Sequence, residues 1–314
     1  MENSQQLEST KNSGLPNEVS CSRPGPERQK MLGTVLILIS ATAFGFMAIF
    51  AKYAYSAKLN IQTMLSLRFL IASSVMWMVV FIKKEDPRVE RKQLLALAGL
   101  GAMGYGLMST FFFSAVELIP ASITAILLYT YPVIVTVLSA WVYKEAITRY
   151  KIISLIISSI GLVMVVGVIF DGLNFLGVFY GGMAAVVYSL YIIFSNKLVG
   201  KISPVMMATY VMTAAAVVFN IVGWSTGKIN LNISVQGWLA VLGIAVISSV
   251  IAILTFFQGL KLVGPSKTSI ISTIEPVITI LAAYFLFSEK LTLMQTAGAG
   301  LIIAAIVLLQ RDKR

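Results

Sequence analysis

Two charged residues fall well inside long apolar runs, and they are where chemistry is to be sought first. Glu275 lies about ten residues into the run 266–287, and Arg68 about seven into the run 61–82. A charge at the middle of a hydrocarbon layer costs several kcal/mol, so such a group faces the interior of a bundle and has a task or a partner. A carboxyl at Glu275 could bind an amine or other cation, carry a proton, or hydrogen-bond to a neighbouring helix. Arg68 could draw in an anionic group, pair with an acid, or run its long stem to the interface. Around them the runs are rich in polar aromatics and hydroxyls: Tyr105, Tyr129, Tyr131, Tyr188, Tyr191, Gln258, Thr268 and Ser272. Thr268, Ser272 and Glu275, spaced four and three apart, share one helical face, as do Thr124, Leu128 and Tyr131. A cavity lined in this way suits a small amphipathic solute. Pro132 and Pro276 sit mid-run, each freeing a carbonyl one turn earlier, and are the expected hinges.

Other chemistries lack their residues. Histidine is absent, and the single cysteine, Cys21, stands in a polar segment. No metal site, cofactor or catalytic constellation is therefore expected, and the chain reads as not an enzyme. Gly99-Leu100-Gly101-Ala102-Met103-Gly104 fits a dinucleotide fingerprint literally, but no strand precedes it. Small residues for close helix packing account for it better. No P-loop is present. Asn232-Ile233-Ser234 is a sequon that matters only in a secretory host.

The elements that must position these residues are membrane helices. Of 314 residues, 58% are hydrophobic and 12% charged, with too little charge to solvate a soluble surface of that size. Ten apolar runs follow a polar tail of residues 1–30: 31–51, 61–82, 93–116, 121–143, 150–170, 174–195, 203–224, 236–260, 266–287 and 292–310. They are continuous, not alternating, which argues for helices and against a barrel. The fold class expected is an all-α polytopic membrane protein of ten transmembrane helices. Links such as Leu118-Ile119-Pro120 and Asp171-Gly172-Leu173 are short enough to require antiparallel neighbours.

By itself a net charge of +11 would suit a nucleic-acid partner, but its distribution points elsewhere. With alternating spans and a cytoplasmic N-terminus, only Lys52, Lys58, Lys228 and Lys290 of the 24 Lys and Arg fall outside. Arg68 lies within a span, and the other nineteen fall on the cytoplasmic side. That asymmetry is the positive-inside signal, and it places both termini in the cytoplasm of a cell membrane protein. The basic run from Lys83 to Lys92 becomes a loop near anionic headgroups. Nucleic acid is not an expected partner; the lipid bilayer and a small-molecule solute are, and a homodimer is left open.

A constant shift of 144 residues superposes the two halves of the sequence without a gap over most of their length. Leu32-Gly33 falls on Leu176-Gly177, Ile49-Phe50 on Ile193-Phe194, Leu95-Ala96 on Leu239-Ala240 and Gly99 on Gly243. Phe112-Phe113 meets Phe256-Phe257, Pro132-Val133-Ile134 meets Pro276-Val277-Ile278, Glu145 meets Glu289 and Thr148 meets Thr292. The units expected are 31–171 and 172–310, followed by a cytoplasmic end at 311–314. Five spans per unit is an odd number, so the second copy enters the membrane from the opposite side. Inverted repeats suit transport, because exchanging the conformations of two similar halves turns a site from one side to the other. The symmetry fails at Arg68 against Met212 and at Glu275 against Tyr131. Glu145 and Glu289 end their helices beside Lys144 and Lys290, and read as helix-end and gate-region structure.

The run Ser114-Ala115-Val116-Glu117-Leu118-Ile119-Pro120-Ala121-Ser122, with Tyr131-Pro132 and Lys144-Glu145-Ala146-Ile147-Thr148, resembles an EamA domain. The second copy repeats the layout in Gly259-Leu260-Lys261-Leu262, Glu275-Pro276 and Ser288-Glu289-Lys290-Leu291-Thr292. Leu67-Arg68-Phe69 is similar to that family's second helix. The resemblance spans about residues 31 to 310 and implies the drug/metabolite transporter superfamily, with a central cavity between inverted halves. It implies carriage of amino acids, other metabolites or toxic compounds, with metabolite export the expectation and efflux of drugs or uptake the alternatives. From another class, a receptor or assembly subunit without flux also fits such a chain.

Overall fold

A computed structural model describes residues 26–167, 174–288 and 290–312. Cys21 and its polar segment, the Asp171-Gly172-Leu173 link, Glu289, and Lys313 and Arg314 lie outside the described residues. Those described form helices, with no strand among them. In chain order they are α1 (Pro26–Ser56), α2 (Ile61–Lys83), α3 (Arg91–Leu118), and α4 in two pieces (Ala121–Leu128 and Tyr131–Tyr143). Then come α5 (Arg149–Val166), α6 (Phe175–Val199) and α7 (Pro204–Ser225), followed by α8 (235–263), α9 (265–287) and α10 (Leu293–Gln310).

Nine helical stretches among the described residues are long and apolar enough to cross a membrane. One of them, Val235–Phe287, has 53 residues and holds both α8 and α9. Straight, it would run about 80 Å, more than twice a hydrocarbon core of roughly 30 Å. It is a hairpin instead. Along α8 the partners on α1 run backwards: Ser248 Oγ donates to the Ala43 carbonyl at 2.7 Å, and Ser40 Oγ donates to the Ala252 carbonyl at 2.8 Å. Along α9 they run forwards, from Thr279 Oγ1 donating to the Gly45 carbonyl at 2.9 Å to Phe287 against Tyr53 at 5.4 Å between ring centres. The reversal occurs at Gly264, whose φ of 78° and ψ of 171° lie outside any helix. Pro265 then starts α9, where a missing N–H costs nothing.

The repeat read from the sequence appears as repeated local structure. The turn at Gly264 answers to Ile119-Pro120 between α3 and α4. Val263 packs on Gly33 of α1, and Ile119 on Gly177 of α6; a Cβ at either glycine would stand 2.6 or 2.7 Å from those side chains. Thr148 and Thr292 cap α5 and α10 by accepting from the Lys151 and Gln295 amides at 3.3 and 3.1 Å. Lys144 and Ser288, which end α4 and α9, share a left-handed backbone at φ 55° and 54°. Even irregularities recur: π-type turns occupy Leu100–Gly106 in α3 and Val246–Ile251 in α8.

The two units interlock. α1 lies on α8 and α9, α6 lies on α3 and α4, α2 pairs with α7 and α5 with α10. The α5–α10 contact is close because Gly161 and Gly298 meet backbone to backbone. Large apolar side chains such as Trp141, Phe175, Phe285 and Leu293 cover the outside, as a surface facing lipid requires.

Candidate functional site

Four helices are interrupted at the level where α1, α3, α4, α6 and α9 converge. α4 breaks at Tyr129 and Thr130 and restarts at Tyr131; α9 tightens through Ser272–Ile274 and restarts at Glu275. Pro132 and Pro276 are therefore not kinks in continuous helices, as their mid-run position suggests. Each is the second residue of a new helical segment, where its fixed φ fits and no amide is missed. This delivers Tyr131 and Glu275 to equivalent first positions, and the helix end favours a carboxylate at Glu275. The π-type turns of α3 and α8 are the other two interruptions, and they widen the backbone where Tyr105 and Ser249 sit.

Between these elements lies a cavity of about 70 Å³, lined by Phe44, Met47, Tyr105, Met108, Leu128, Tyr129, Tyr131, Tyr188 and Glu275. Glu275 is half-buried there, and the Tyr129 hydroxyl is the hydrogen-bonding neighbour of its carboxyl. Aromatic contacts join the wall into one chain. Tyr129 lies 6.0 Å from Tyr131, Tyr131 meets Tyr188 edge-on at 4.7 Å, Tyr188 stacks on Tyr191 at 6.0 Å, and Tyr191 meets Tyr105 at 6.0 Å. Phe44 and Tyr188 stand 144 positions apart, as do Tyr131 and Glu275. The cavity thus takes matching positions from both units. One carboxyl among electron-rich ring faces and hydroxyls suits an ammonium group, which gains from both.

Of the residues singled out in the sequence, Glu275, Tyr105, Tyr129, Tyr131 and Tyr188 come together on this wall, with Leu128 from the face that holds Tyr131. Arg68 does not line it, nor does it snorkel or pair with an acid. It is buried 3% exposed, behind Tyr105, with Nε donating to Ser249 Oγ at 2.7 Å and Nη2 to the Tyr105 hydroxyl at 2.9 Å. Those neutral partners hold the guanidinium in the interior. Gln258 is half-buried on α8 outside the cavity. Thr268 and Ser272 are buried, and Ser272 Oγ donates back to the Thr268 carbonyl at 2.9 Å beside the Tyr131 hydroxyl. The break at 272–274 ends the helical face that was to carry Thr268 round to Glu275. Phe44, Met47 and Met108 are wall residues that sequence reasoning missed. The repeat held a signal for Phe44 and Met47, which superpose on Tyr188 and Tyr191; Met108, which falls on Ala252, carried none.

A second cluster of charge lies at the α4–α5 link. Lys151, buried, donates to Glu145 Oε1 at 2.6 Å and to the Ala146 carbonyl at 2.9 Å. Ser139 also donates to Glu145, and Ser266 at the start of α9 does so at 2.8 Å, tying the two units together. Burial pushes the Glu145 carboxyl up, but these hydrogen bonds and the Lys151 charge more than reverse it, leaving it below the ordinary carboxylate value.

The EamA-like transporter family model matches residues 31–167 and again 175–311. The chain belongs to the EamA-like transporter family. Similar proteins include the uncharacterized transporter YcbK of Bacillus subtilis, 26% identical over 87% of this chain and 91% of its own. An uncharacterized transporter of Archaeoglobus fulgidus is 24% identical over 89% of this chain and 99% of its own. A solved crystal structure superposes with a TM-score of 0.76 at 17% identity, covering 90% of this chain and 97% of that one, which shows a shared fold. The two family matches start 144 residues apart. The transporter is a polytopic membrane protein, and its family is one of transporters.

Proposed function

We propose that this transporter exports a small organic metabolite bearing an amine, such as an amino acid, across the cell membrane by alternating access. The observation that carries the reading is Glu275, a carboxyl set among Tyr105, Tyr129, Tyr131 and Tyr188 in a cavity built from both repeats. Counting the α8–α9 hairpin as two crossings supports ten spans in units 31–171 and 172–310, and the distribution of Lys and Arg favours both termini in the cytoplasm. A cavity of about 70 Å³ has room for an ammonium headgroup, and a larger solute body needs the cavity to open toward one side. Pro132 and Pro276, at the restarts of α4 and α9, are the hinges of that opening.

Glu275 takes the amine when ionised and a proton when empty, so that solute leaves against proton entry. Mutual exclusion at one carboxyl couples the two fluxes without a further site. The test is flux of radiolabelled amino acids and simple amines in proteoliposomes under an imposed pH gradient. At least one amine-bearing compound should move, and Glu275→Gln should slow it about tenfold and abolish the response to the gradient. Flux that the substitution leaves unchanged across the neutral pH range would remove Glu275 from the mechanism. Failure of every compound to move would favour a receptor or assembly role.

A further inference from the structure

Arg68 has no charged counterpart: 144 positions on, the sequence places Met212. Its guanidinium reaches across to the other unit. Nε donates to Ser249 Oγ at 2.7 Å, while Nη2 donates to the Tyr105 hydroxyl at 2.9 Å and approaches the Ser248 carbonyl at 3.4 Å. Tyr105 and Ser249 are themselves 144 positions apart, so they hold the same place in the two units, each in a π-type turn. One side chain therefore spans two symmetry-equivalent positions on opposite repeats. Ser249 is fixed in turn by donating to the Ile244 carbonyl at 3.0 Å, and Ser248 by donating to Ala43 of α1 at 2.7 Å.

Arg68 forms no ion pair with a carboxylate among the described residues, unlike Lys151 with Glu145 or Lys267 with Asp312. Neutral oxygens and the faces of Phe69 and Tyr105, at 4.8 and 5.7 Å, hold the cation instead. A buried charge held by a few hydrogen bonds is penalised heavily when one of them breaks. Met212, buried in the mirrored position on α7, has no hydrogen to donate.

We propose that Arg68 is a positioning residue that ties the cavity-wall Tyr105 to Ser249 of the opposite repeat and thereby favours one end state of the transport cycle over its mirror image. The inference rests on the alternating-access reading. In an inverted-repeat carrier the two end states are images of one another with the repeats exchanged. Exchange brings Met212 to the place that Arg68 holds here, and the equivalents of its hydrogen bonds have no donor. The state containing the bridge is then the more populated one.

The experiment places a thiol on the cavity wall, Met108→Cys, in a chain whose own cysteine is removed by Cys21→Ser. A charged, membrane-impermeant thiol reagent is applied to right-side-out and to inside-out vesicles, and the ratio of the two labelling rates reports the two states. With Arg68 present the ratio should be strongly unequal; Arg68→Met should shift it toward unity by about tenfold, and Arg68→Lys by less. Tyr105→Phe and Ser249→Ala each remove one bond, keep the charge, and should move the ratio in the same direction. They decide the matter even if Arg68→Met does not fold. Arg68→Met combined with Tyr105→Phe should shift it no further than Arg68→Met alone. A merely structural arginine would lower the thermal midpoint and leave the ratio where it was, which would overturn the inference, as would strictly additive effects. Labelling from one side only, in Arg68→Met as well, would instead overturn alternating access itself.

Discussion

Tyr131 and Glu275, 144 positions apart in the sequence, open equivalent helical segments onto the same cavity. The two repeats supply one backbone position twice and fill it with different chemistry. A phenol and a carboxyl are placed by the same device, a broken helix restarted by proline.

That pairing separates geometry from charge. Tyr131→Phe removes a hydroxyl whose carbonyl contact, to Ser269, is long at 3.5 Å. It should change flux by less than about threefold and keep the response to a pH gradient, because the ring and its packing on Tyr188 remain. Glu275→Gln should remove that response while leaving the fold intact, since shape and hydrogen-bonding capacity are kept. Proteoliposome flux with and without the gradient, on both variants, makes the comparison.

The Glu145–Lys151 pair predicts an acid limb of stability. The folded state holds the Glu145 carboxyl below its ordinary value, so the pair stabilises the protein above that value and the contribution is lost as pH falls through the depressed one. At neutral pH Glu145→Gln leaves buried Lys151 without its counter-charge and should cost about 2 kcal/mol, less than for a fully buried pair because Glu145 is partly exposed. Thermal melting in detergent should show the two proteins converging as the buffer is made acidic, below the ordinary carboxylate range.

Helix contact through glycine is tested by two positions that look alike in sequence. A Cβ at Gly161 would stand 2.7 Å from the Gly298 carbonyl oxygen, whereas one at Gly99 meets nothing within 4 Å. Gly161→Ala should therefore destabilise by about 1–3 kcal/mol as α5 is pushed off α10. Gly99→Ala should be neutral or stabilising by up to about 1 kcal/mol. Melting temperatures of the two variants against the parent settle it.

At the α8–α9 turn, Gly264 has a backbone that a side chain tolerates poorly, while its repeat counterpart Pro120 has φ −51°. Gly264→Ala should cost on the order of 1–3 kcal/mol, and Pro120→Ala less than about 1 kcal/mol. The same melts would show whether the two hairpin tips obey these different rules.

Much of the fold is legible in the order of the residues. The apolar runs, the 144-residue shift and the turns at Ile119-Pro120 and Gly264-Pro265 depend on local composition and backbone chemistry, which the sequence carries residue by residue. So does the demand that Glu275 and Arg68 face inward, since an apolar solvent penalises a charge wherever the helix turns. The side of each helix that meets the cavity is not local. Met108 looks like any buried methionine, Gln258 and Thr268 look as suitable as Tyr188, and only the docking of α1 on α8–α9 and of α6 on α3–α4 sorts them. The breaks in α4 and α9 likewise cancel a helical face that continuous spacing implied. Sequence alone determined that the chain holds two copies of one unit and a carboxyl that must face inward. Tertiary structure decided that Arg68 stands behind the wall and bridges the copies, because its partners Tyr105 and Ser249 lie 144 residues apart and meet only when the units interlock.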